Sequence, residues 1–557
     1  MSKDQTPMDQ TPKHPSRRTL SLATPLGGAV VAAMLSATAP VAAQDYTLTI
    51  VHTNDIHGRL EPNNRSGTAC SPQQVQENQC FGGAARLATL FAAARAASPN
   101  TLVLDAGDQF QGTLFYTVHK ARGVYETMNR MGYDAMVVGN HEFDDGPQVL
   151  ADLLGGVRFP VLGGNVDTSR NDLLRGRLPA TTIVERGGQR IGLVGVVTPD
   201  TPITSSPGPT LAFAAAVDTV RAAVDSFRSQ NVTKVVVLSH LGLGADRDLA
   251  RQVDGIDVIV GGHTHTLLSN TVPRAEGPYP LVERAPGGQP VLVVTSWEHG
   301  RALGTLQVTF DAAGVPVKWE GDAKLVDNSV TPNAEVAATV ASLSGDLDAL
   351  RRRVIGRVEQ PLDGDRTRCR HQECTFGNVI ADAILWGTRS KGVEVALQNG
   401  GGIRTSIAAG EVTMGQVLEA LPFGNTIATF QVTGADLLAA LEHGVSQAEN
   451  PQANNTGRFL QMAGARIEWD ATKPAGQRLV RAETRQSDGS WQAIDTARRY
   501  TVAFNNFNRR GGDGFAMFNE RAIDPYDFGP GLDETVANFI AGGHARVGLD
   551  GRITRRN

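Results

Sequence analysis

The chain has 557 residues, more than one ordinary hydrophobic core holds, so at least two domains are expected. Its 41% apolar and 20% charged content describes a soluble globular protein. A net charge of −5 gives no support for binding a nucleic-acid polymer through overall charge, although a local basic pocket can still hold phosphate.

The first 43 residues read as an export signal rather than as part of the fold. Ser16-Arg17-Arg18 precedes an uncharged stretch over 19–43 that ends in Val41-Ala42-Ala43, small residues suited to cleavage before Gln44. This is the pattern of a twin-arginine signal, which places the mature chain in the periplasm or outside the cell. The stretch is also long enough to span a membrane as an uncleaved anchor. Its Ala, Gly and Thr content partitions weakly into lipid, which favours cleavage and leaves no stable span. Cys70 and Cys80 form one close pair and Cys369 and Cys374 another. In an oxidising compartment both can close as short-loop disulfides. A four-cysteine zinc site is the alternative, but neither pair has the usual ligand spacing.

From residue 44 to about 330 one pattern recurs: a β-branched apolar run that ends in a polar, ligand-rich turn. The instances are YTLTIVHTNDIHG, TLVLDAGDQ, AMVVGNHEFD, KVVVLSHLG and IDVIVGGHTH. Helical periodicity between them, over 84–97 and 217–230, predicts a layered α/β domain. In such folds ligands bind beyond the carboxyl ends of the strands, where Asp, Asn and His fall in all five segments. A polar helical segment over 331–354 reads as a connector, and its pattern suits a surface helix equally well. From residue 355 the motifs change. TFGNVIADAILWGT and TGADLLAALEHGVSQ look helical, while VEVALQNGGGIR and RYTVAFNNFNRRGGDGF look like strands ending in loops. A second α/β domain over 355–557 is expected. No repeat or coiled-coil heptad is visible, and oligomeric state is not addressed by the sequence.

The strand ends collect a metal-binding constellation. Asp55 and His57 stand at i and i+2, which on an extended strand end point to the same side. Asp108 can bridge two metals, Asn140 offers a neutral oxygen, His240 an imidazole, and His263 and His265 repeat the i, i+2 spacing. Mixed nitrogen and oxygen ligands without cysteine suit Zn, Mn, Fe or Co. Seven ligands are too many for one ion. Divided over two divalent ions, which sit roughly 3.5–4 Å apart in such sites, they leave room for water and substrate and point to phosphate-ester hydrolysis.

These segments, NDIHGRLEP, AGDQFQGT, GNHEFDDG, SHLG and GGHTH, resemble the calcineurin-like metallophosphoesterases, and their order and wording resemble the secreted 5′-nucleotidases. The resemblance runs through the second half of the chain. It implies a β-sandwich flanked by helices, a nucleotide substrate and two metal ions, zinc foremost. It implies one metal on Asp55, His57, Asp108 and His265, and a second on Asp108, Asn140, His240 and His263. Some members carry Gln or Asn where His265 stands here.

His141 follows Asn140, and a turn can bring both to one cleft. A cationic imidazole there would offset charge developing on phosphate, with Asp144 holding the ring. The resemblance assigns this pair the catalytic role, against a reading in which Asp144 merely caps a helix. Glu142 receives no role, since a metal-activated water already supplies the nucleophile. In the second domain the three glycines ending at Gly402 allow close backbone approach, and Arg404 can bind phosphate bidentately. Arg370 lies inside the Cys369–Cys374 loop. Phe423 and Phe507 sit in polar loops and can form a stacking slot for a base, with Asp513 placed to accept ribose hydroxyls. The 5′-nucleotidase resemblance implies that Arg370, Asn399, Gly402, Arg404, Phe423, Asn506, Phe507 and Asp513 contact substrate, with rotation between the domains to admit it. Cyclic-nucleotide phosphodiesterases with 3′-nucleotidase activity, thiosulfohydrolases and non-catalytic nucleotide binders are the alternatives.

Overall fold

The structure, a computed structural model, describes residues 45–557 apart from 66, 68, 449–456 and 528. The expected export signal therefore lies outside the described residues. Residues 44–557 form one compact unit, and no helix among the described residues is long and apolar enough to cross a membrane.

The N-terminal part is built on two six-stranded sheets packed face to face. In the first, the strands Tyr46–Thr53, Thr101–Asp105, Ala135–Val137 and Val161–Leu162 run parallel, and Ala302–Phe310 and Pro316–Leu325 complete the sheet antiparallel. In the second, Gln189–Val197, Lys234–His240, Val258–Gly261 and Pro290–Val294 run parallel between two antiparallel edge strands. Strand alternation explains the layering. Within Lys234–His240, Val236 and Leu238 turn inward to meet Ile50, Leu102 and Leu104 of the first sheet. Val235 and Val237 turn outward onto Val220, Val224 and Phe227 of the helix Ala216–Ser229. Val51 and Val103 likewise face Leu87 and Phe91 of the helix Ala84–Ala97. Each parallel strand is buried on both faces, which is why these segments read as continuous apolar runs.

The register aligns the carboxyl ends. Thr53 pairs with Asp105, Val197 with His240 and Ser239 with Gly261. The polar turns after these strands therefore start at one level. Past residue 330, the helix Ala334–Gly345 buries Val336, Val340 and Leu343 in the core beneath Ala84–Ala97 and Ala121–Met131.

The C-terminal part centres on a five-stranded mixed sheet, in the order Leu460–Ala463, Val395–Asn399, Arg499–Asn505, Ile427–Thr433 and Ile523–Tyr526. The helices Thr375–Thr388 and Leu532–Ala541 cover one face, and Gly434–Val445 and Ala516–Glu520 the other. The protein is thus a layered α/β sandwich joined to a second α/β unit. Disulfides close Cys70–Cys80 and Cys369–Cys374, which removes the four-cysteine zinc alternative.

Candidate active site

The polar turns of five strands converge on the Asp108 carboxylate. Its Oδ2 lies 3.1 Å from His240 Nε2, 3.8 Å from His57 Nε2 and 4.0 Å from His141 Nε2. Beside it, Asp55 Oδ1 lies 3.3 Å from His265 Nε2 and 4.0 Å from His57 Nε2, and the last two nitrogens are 3.1 Å apart. On the other flank His263 Nδ1 meets Asn140 Oδ1 at 2.9 Å. Three groups here bring ligand atoms close enough to share a cation: Asp55, His57 and His265; Asp108, His240 and His263; and His57, Asp108 and His141.

The convergence does not come from strand alternation. Asp55, His57, Asp108, His263 and His265 all adopt left-handed backbone conformations, with φ between 51° and 72°. The expectation that residues at i and i+2 share one extended side is therefore corrected. His263 and His265 divide between two groups because each sits on its own left-handed bend beyond the strand. Such conformations cost free energy and persist where the surroundings hold them. Glu142, fully buried, supplies much of that restraint. Its two carboxylate oxygens accept the backbone N–H groups of Asp108, Gln109, Phe110 and Gly139 at 2.5–3.1 Å. Gly139 is required at this seam, since a Cβ there would lie 2.2 Å from Asp108 Oδ1.

The donor set fits divalent cations. His57 Nδ1 and His240 Nδ1 lie 3.0 and 2.6 Å from the carbonyls of Phe110 and Ala106. A carbonyl only accepts, so both Nδ1 atoms carry the proton and both Nε2 atoms present lone pairs to the cluster. His240 Nε2 is buried 3.1 Å from Asp108 Oδ2. Burial opposes protonation of this ring, but Asp108 outweighs it and raises the pKa to about 10, so a cation bound there would displace a proton. Burial pushes His263 down to about 3 and His57 and His265 well below the usual imidazole range, which keeps the rings in the neutral, ligating form. Burial, with the charge of Asp108 adding to it, pushes Asp55 up to about 7 against the imidazole of His240. A bound cation reverses that balance.

His141 stands at the rim of this cluster. Its Nδ1 lies 2.5 Å from Asp144 Oδ2, and Ser205 Oγ donates to Asp144 Oδ1 at 2.7 Å. Burial opposes protonation of the ring, but the carboxylates of Asp144 and Asp108 outweigh it and raise the His141 pKa. Asp144 is not a helix cap. The following helix, Gly146–Gly156, starts at Asp145, whose side chain goes instead to the Tyr116 hydroxyl and Lys120.

A cavity opens from Asp108, Asn140, His141, Asp144, His263 and His265 toward the second part of the chain, where Arg370, Asn399, Gly402, Arg404, Phe423, Phe507 and Asp513 line it. Asp55, His57 and His240 lie beneath this surface, fully buried. The glycine run explains how Arg370 arrives: a Cβ on Gly400 would lie 2.5 Å from the Cys369 carbonyl, so the two loops touch backbone to backbone. Arg370 is buried and its Nε has no hydrogen-bond partner. The Phe423 ring stacks on the His141 ring with centroids 5.8 Å apart, and the Arg404 guanidinium lies 5.6 Å from the Phe423 centroid. Asp513 Oδ2 accepts from Asn399 Nδ2 at 2.6 Å and Asn508 Nδ2 at 3.2 Å.

Asn506 is placed differently from expectation. It is not among the residues lining the cavity. Its carboxamide oxygen accepts the Thr426 N–H, and its own N–H donates to the Thr426 carbonyl, so it pins the loop behind Phe423. Sequence reasoning also missed Ser205, Arg366 and Arg458, the last two of which line the cavity. Ser205 lies 61 residues from Asp144 in a stretch without ligand-like neighbours. Arg366 carried a usable signal, because it precedes Arg370 by one helical turn.

Comparison with known proteins agrees with this geometry. Residues 48–267 match the calcineurin-like phosphoesterase family and residues 354–520 the 5′-nucleotidase C-terminal domain. The chain is 35% identical over 524 residues to the Bos taurus 5′-nucleotidase, covering 90% of this chain and 89% of the bovine protein. The chain belongs to the 5′-nucleotidase family. The Naja atra snake venom 5′-nucleotidase is 34% identical over 85% of this chain and 92% of its own length. A crystal structure of a Thermus thermophilus 5′-nucleotidase precursor superimposes with a TM-score of 0.86 at 42% identity, covering 92% of this chain and all of the other. The 5′-nucleotidase relationship thus spans both α/β units, including the seam where the cavity lies.

Proposed function

We propose that the protein hydrolyses nucleoside 5′-monophosphates to nucleoside and phosphate. The observation that carries this is one cavity lined together by the Asp108 cluster, by arginines and by two phenylalanines with Asp513. Asp55, His57, Asp108 and His265 would hold one divalent ion, and Asp108, Asn140, His240 and His263 a second. Zinc is the first metal to test, with manganese, cobalt and iron after it. When bound, such a pair generates a nucleophile from water at neutral pH and offsets charge on the phosphoryl oxygens.

The chain's own groups do the rest. Arg370, Arg404 and Arg366 orient the phosphate through charge-assisted hydrogen bonds. His141, held protonated by Asp144, places a cation where negative charge grows. Phe423 and Phe507 receive the base, and Asp513, already fixed by two amides, accepts ribose hydroxyls. Gly402 allows the backbone close to the substrate, and Asn506 acts through Thr426. Residues 44–330 would carry the metals, 331–354 the connection and 355–557 the nucleotide reader. Export to the periplasm or exterior through the signal over 1–43 completes this reading, supported by the two disulfides and by the venom relative.

The test is phosphate release from AMP and from p-nitrophenyl phosphate, before and after chelation and with single metals restored. Turnover of AMP should far exceed that of p-nitrophenyl phosphate at low concentration and vanish on chelation. Full activity in the presence of chelator would overturn the metal assignment, and equal efficiency on both substrates the nucleoside assignment.

A further inference from the structure

A smaller chamber shares Arg366, Arg370, Arg404 and His265 with the main cavity and is lined in addition by Arg59, Arg65, Glu298, His299 and Arg301. Its volume is about 80 Å³, several times the ~10–15 Å³ that one water needs. Phe423, Phe507 and Asp513 do not line it. It is therefore a space distinct from the nucleoside end, with the same arginines as a common wall.

Its charge balance is unusual. Six guanidinium groups line the chamber against the two carboxylates of Glu298 and Asp365. Glu298 is already engaged by Arg301. Arg59 spends its hydrogen bonds on the carbonyls of His57 and Gly67, at 2.9 and 3.2 Å, and Glu419 and Glu298 offset only part of the burial and like-charge repulsion it carries. His299 Nδ1 is buried with no hydrogen-bond partner, whereas Arg366, Arg370 and Arg404 form a wall shared with the proposed substrate phosphate. Burial and the neighbouring guanidiniums push Arg370, Arg404 and Arg301 below the usual arginine range. Buried like charges at this density repel one another, and each unpaired donor is costly. A tetrahedral oxyanion offsets both, since it carries negative charge and several acceptor oxygens.

We propose that this chamber is a second oxyanion site that binds inorganic phosphate while the main cavity holds nucleotide. The proposal rests on the reading that phosphate is released at the Asp108 cluster. It gives the two products different ways out: nucleoside leaves past the phenylalanines, and phosphate moves along the arginines into the chamber. Phosphate can then bind without displacing substrate, so it acts on turnover as well as on substrate binding.

The experiment measures phosphate inhibition of AMP hydrolysis by the metal-loaded enzyme, together with equilibrium binding of radiolabelled phosphate. Wild type should show mixed inhibition, with both the slope and the intercept of double-reciprocal plots raised. It should bind two phosphates per chain, and one in the presence of a saturating non-hydrolysable AMP analogue. Arg65→Ala removes an exposed chamber residue and should weaken the intercept effect at least fivefold while the slope effect changes less than twofold. The paired change Glu298→Gln with Arg301→Gln, which removes both members of that ion pair together, should do the same. Purely competitive inhibition of wild type, a single phosphate per chain, or an unchanged intercept effect in both variants would overturn the proposal. Loss of the underlying reading would look different: no protein would hydrolyse AMP, yet the phosphate stoichiometry could still be read.

Discussion

Replacing Asp144 by Asn keeps the size of the side chain and removes the charge 2.5 Å from His141 Nδ1. The two side chains are only about a tenth exposed, so water replaces little of what is lost. Burial already opposes the charged ring, and Arg404 adds to that opposition. Of the two carboxylates that overcome it, Asp108 lies 4.0 Å away and is committed to the metal cluster, which leaves Asp144 as the main support of the imidazolium. A hydrogen bond to a charged group contributes roughly 1.5–3 kcal/mol. At 1.36 kcal/mol per tenfold, its loss should lower kcat roughly 10- to 150-fold. The sign of the pH effect follows. His141 acts protonated, so activity falls as pH rises through its pKa. Removing a group that raises this pKa must move the alkaline limb of the kcat profile to lower pH. Steady-state AMP hydrolysis across pH, with metal content measured on the same samples, checks both points. A variant that retains more than half of wild-type kcat with metals fully bound, or an alkaline limb that does not move, would refute the cationic role of His141.

Phe507→Ala should raise KM for AMP roughly 5- to 150-fold, from ~1–3 kcal/mol per stacked base, and leave p-nitrophenyl phosphate nearly unaffected. Phe423→Ala should do the same and also lower kcat on both substrates, because its ring packs on His141; steady-state constants on the two substrates separate the effects. Ser205→Ala should lower kcat about 3- to 10-fold at constant KM and metal content, and combined with Asp144→Asn should add less than its own effect; full additivity would remove Ser205 from the dyad. Glu142→Gln turns an amide donor toward two of the four backbone N–H groups now accepted at 2.5–3.1 Å. A cost of about 3 kcal/mol should lower Tm by roughly 3 °C for a unit of this size by calorimetry and weaken metal binding. A Tm within about 0.5 °C of wild type together with unchanged metal affinity would deny Glu142 its clamping role.

The five strand endings were legible because parallel strands buried on both faces must be apolar throughout, so a sudden Asp, Asn or His marks where the chain leaves the sheet. Two helices, Ala84–Ala97 and Thr375–Thr388, were legible from their periodicity almost to the residue. The local geometry beyond the strands was not. Spacing at i and i+2 indicates a shared side only while the backbone stays extended, and Asp55, His57, His263 and His265 have all left it. Glu142 was invisible as a clamp because its partners are backbone N–H groups, which carry no side-chain pattern. Asn506 is expected at the substrate only through the 5′-nucleotidase resemblance, and its bonds to the Thr426 backbone carry no side-chain pattern either. Ser205 meets Asp144 across 61 residues, and the small basic chamber joins Arg59 and Arg65 to Arg301 and Arg366. Contacts of this range depend on how the sheets and loops close on one another, which no window of sequence contains.

The dyad is where the two α/β units meet chemically. From one side Phe423 lies on the His141 ring. From the other, Ser205, which holds Asp144, ends the short helix Thr201–Thr204, and that helix packs against Gly512–Gly514, the turn that carries Asp513. Phe423 therefore touches His141 directly, and the turn that carries Asp513 reaches Asp144 through the helix Thr201–Thr204 and Ser205. A displacement of either loop changes the ring's stacking partner or the carboxylate's donor before it reaches Asp55, His57, Asp108 or His240, which are buried, with the Asp108 backbone held from behind by Glu142. Under the proposed function, seating of a nucleoside would therefore bear on His141 and Asp144 before it bears on the residues that would hold the metals.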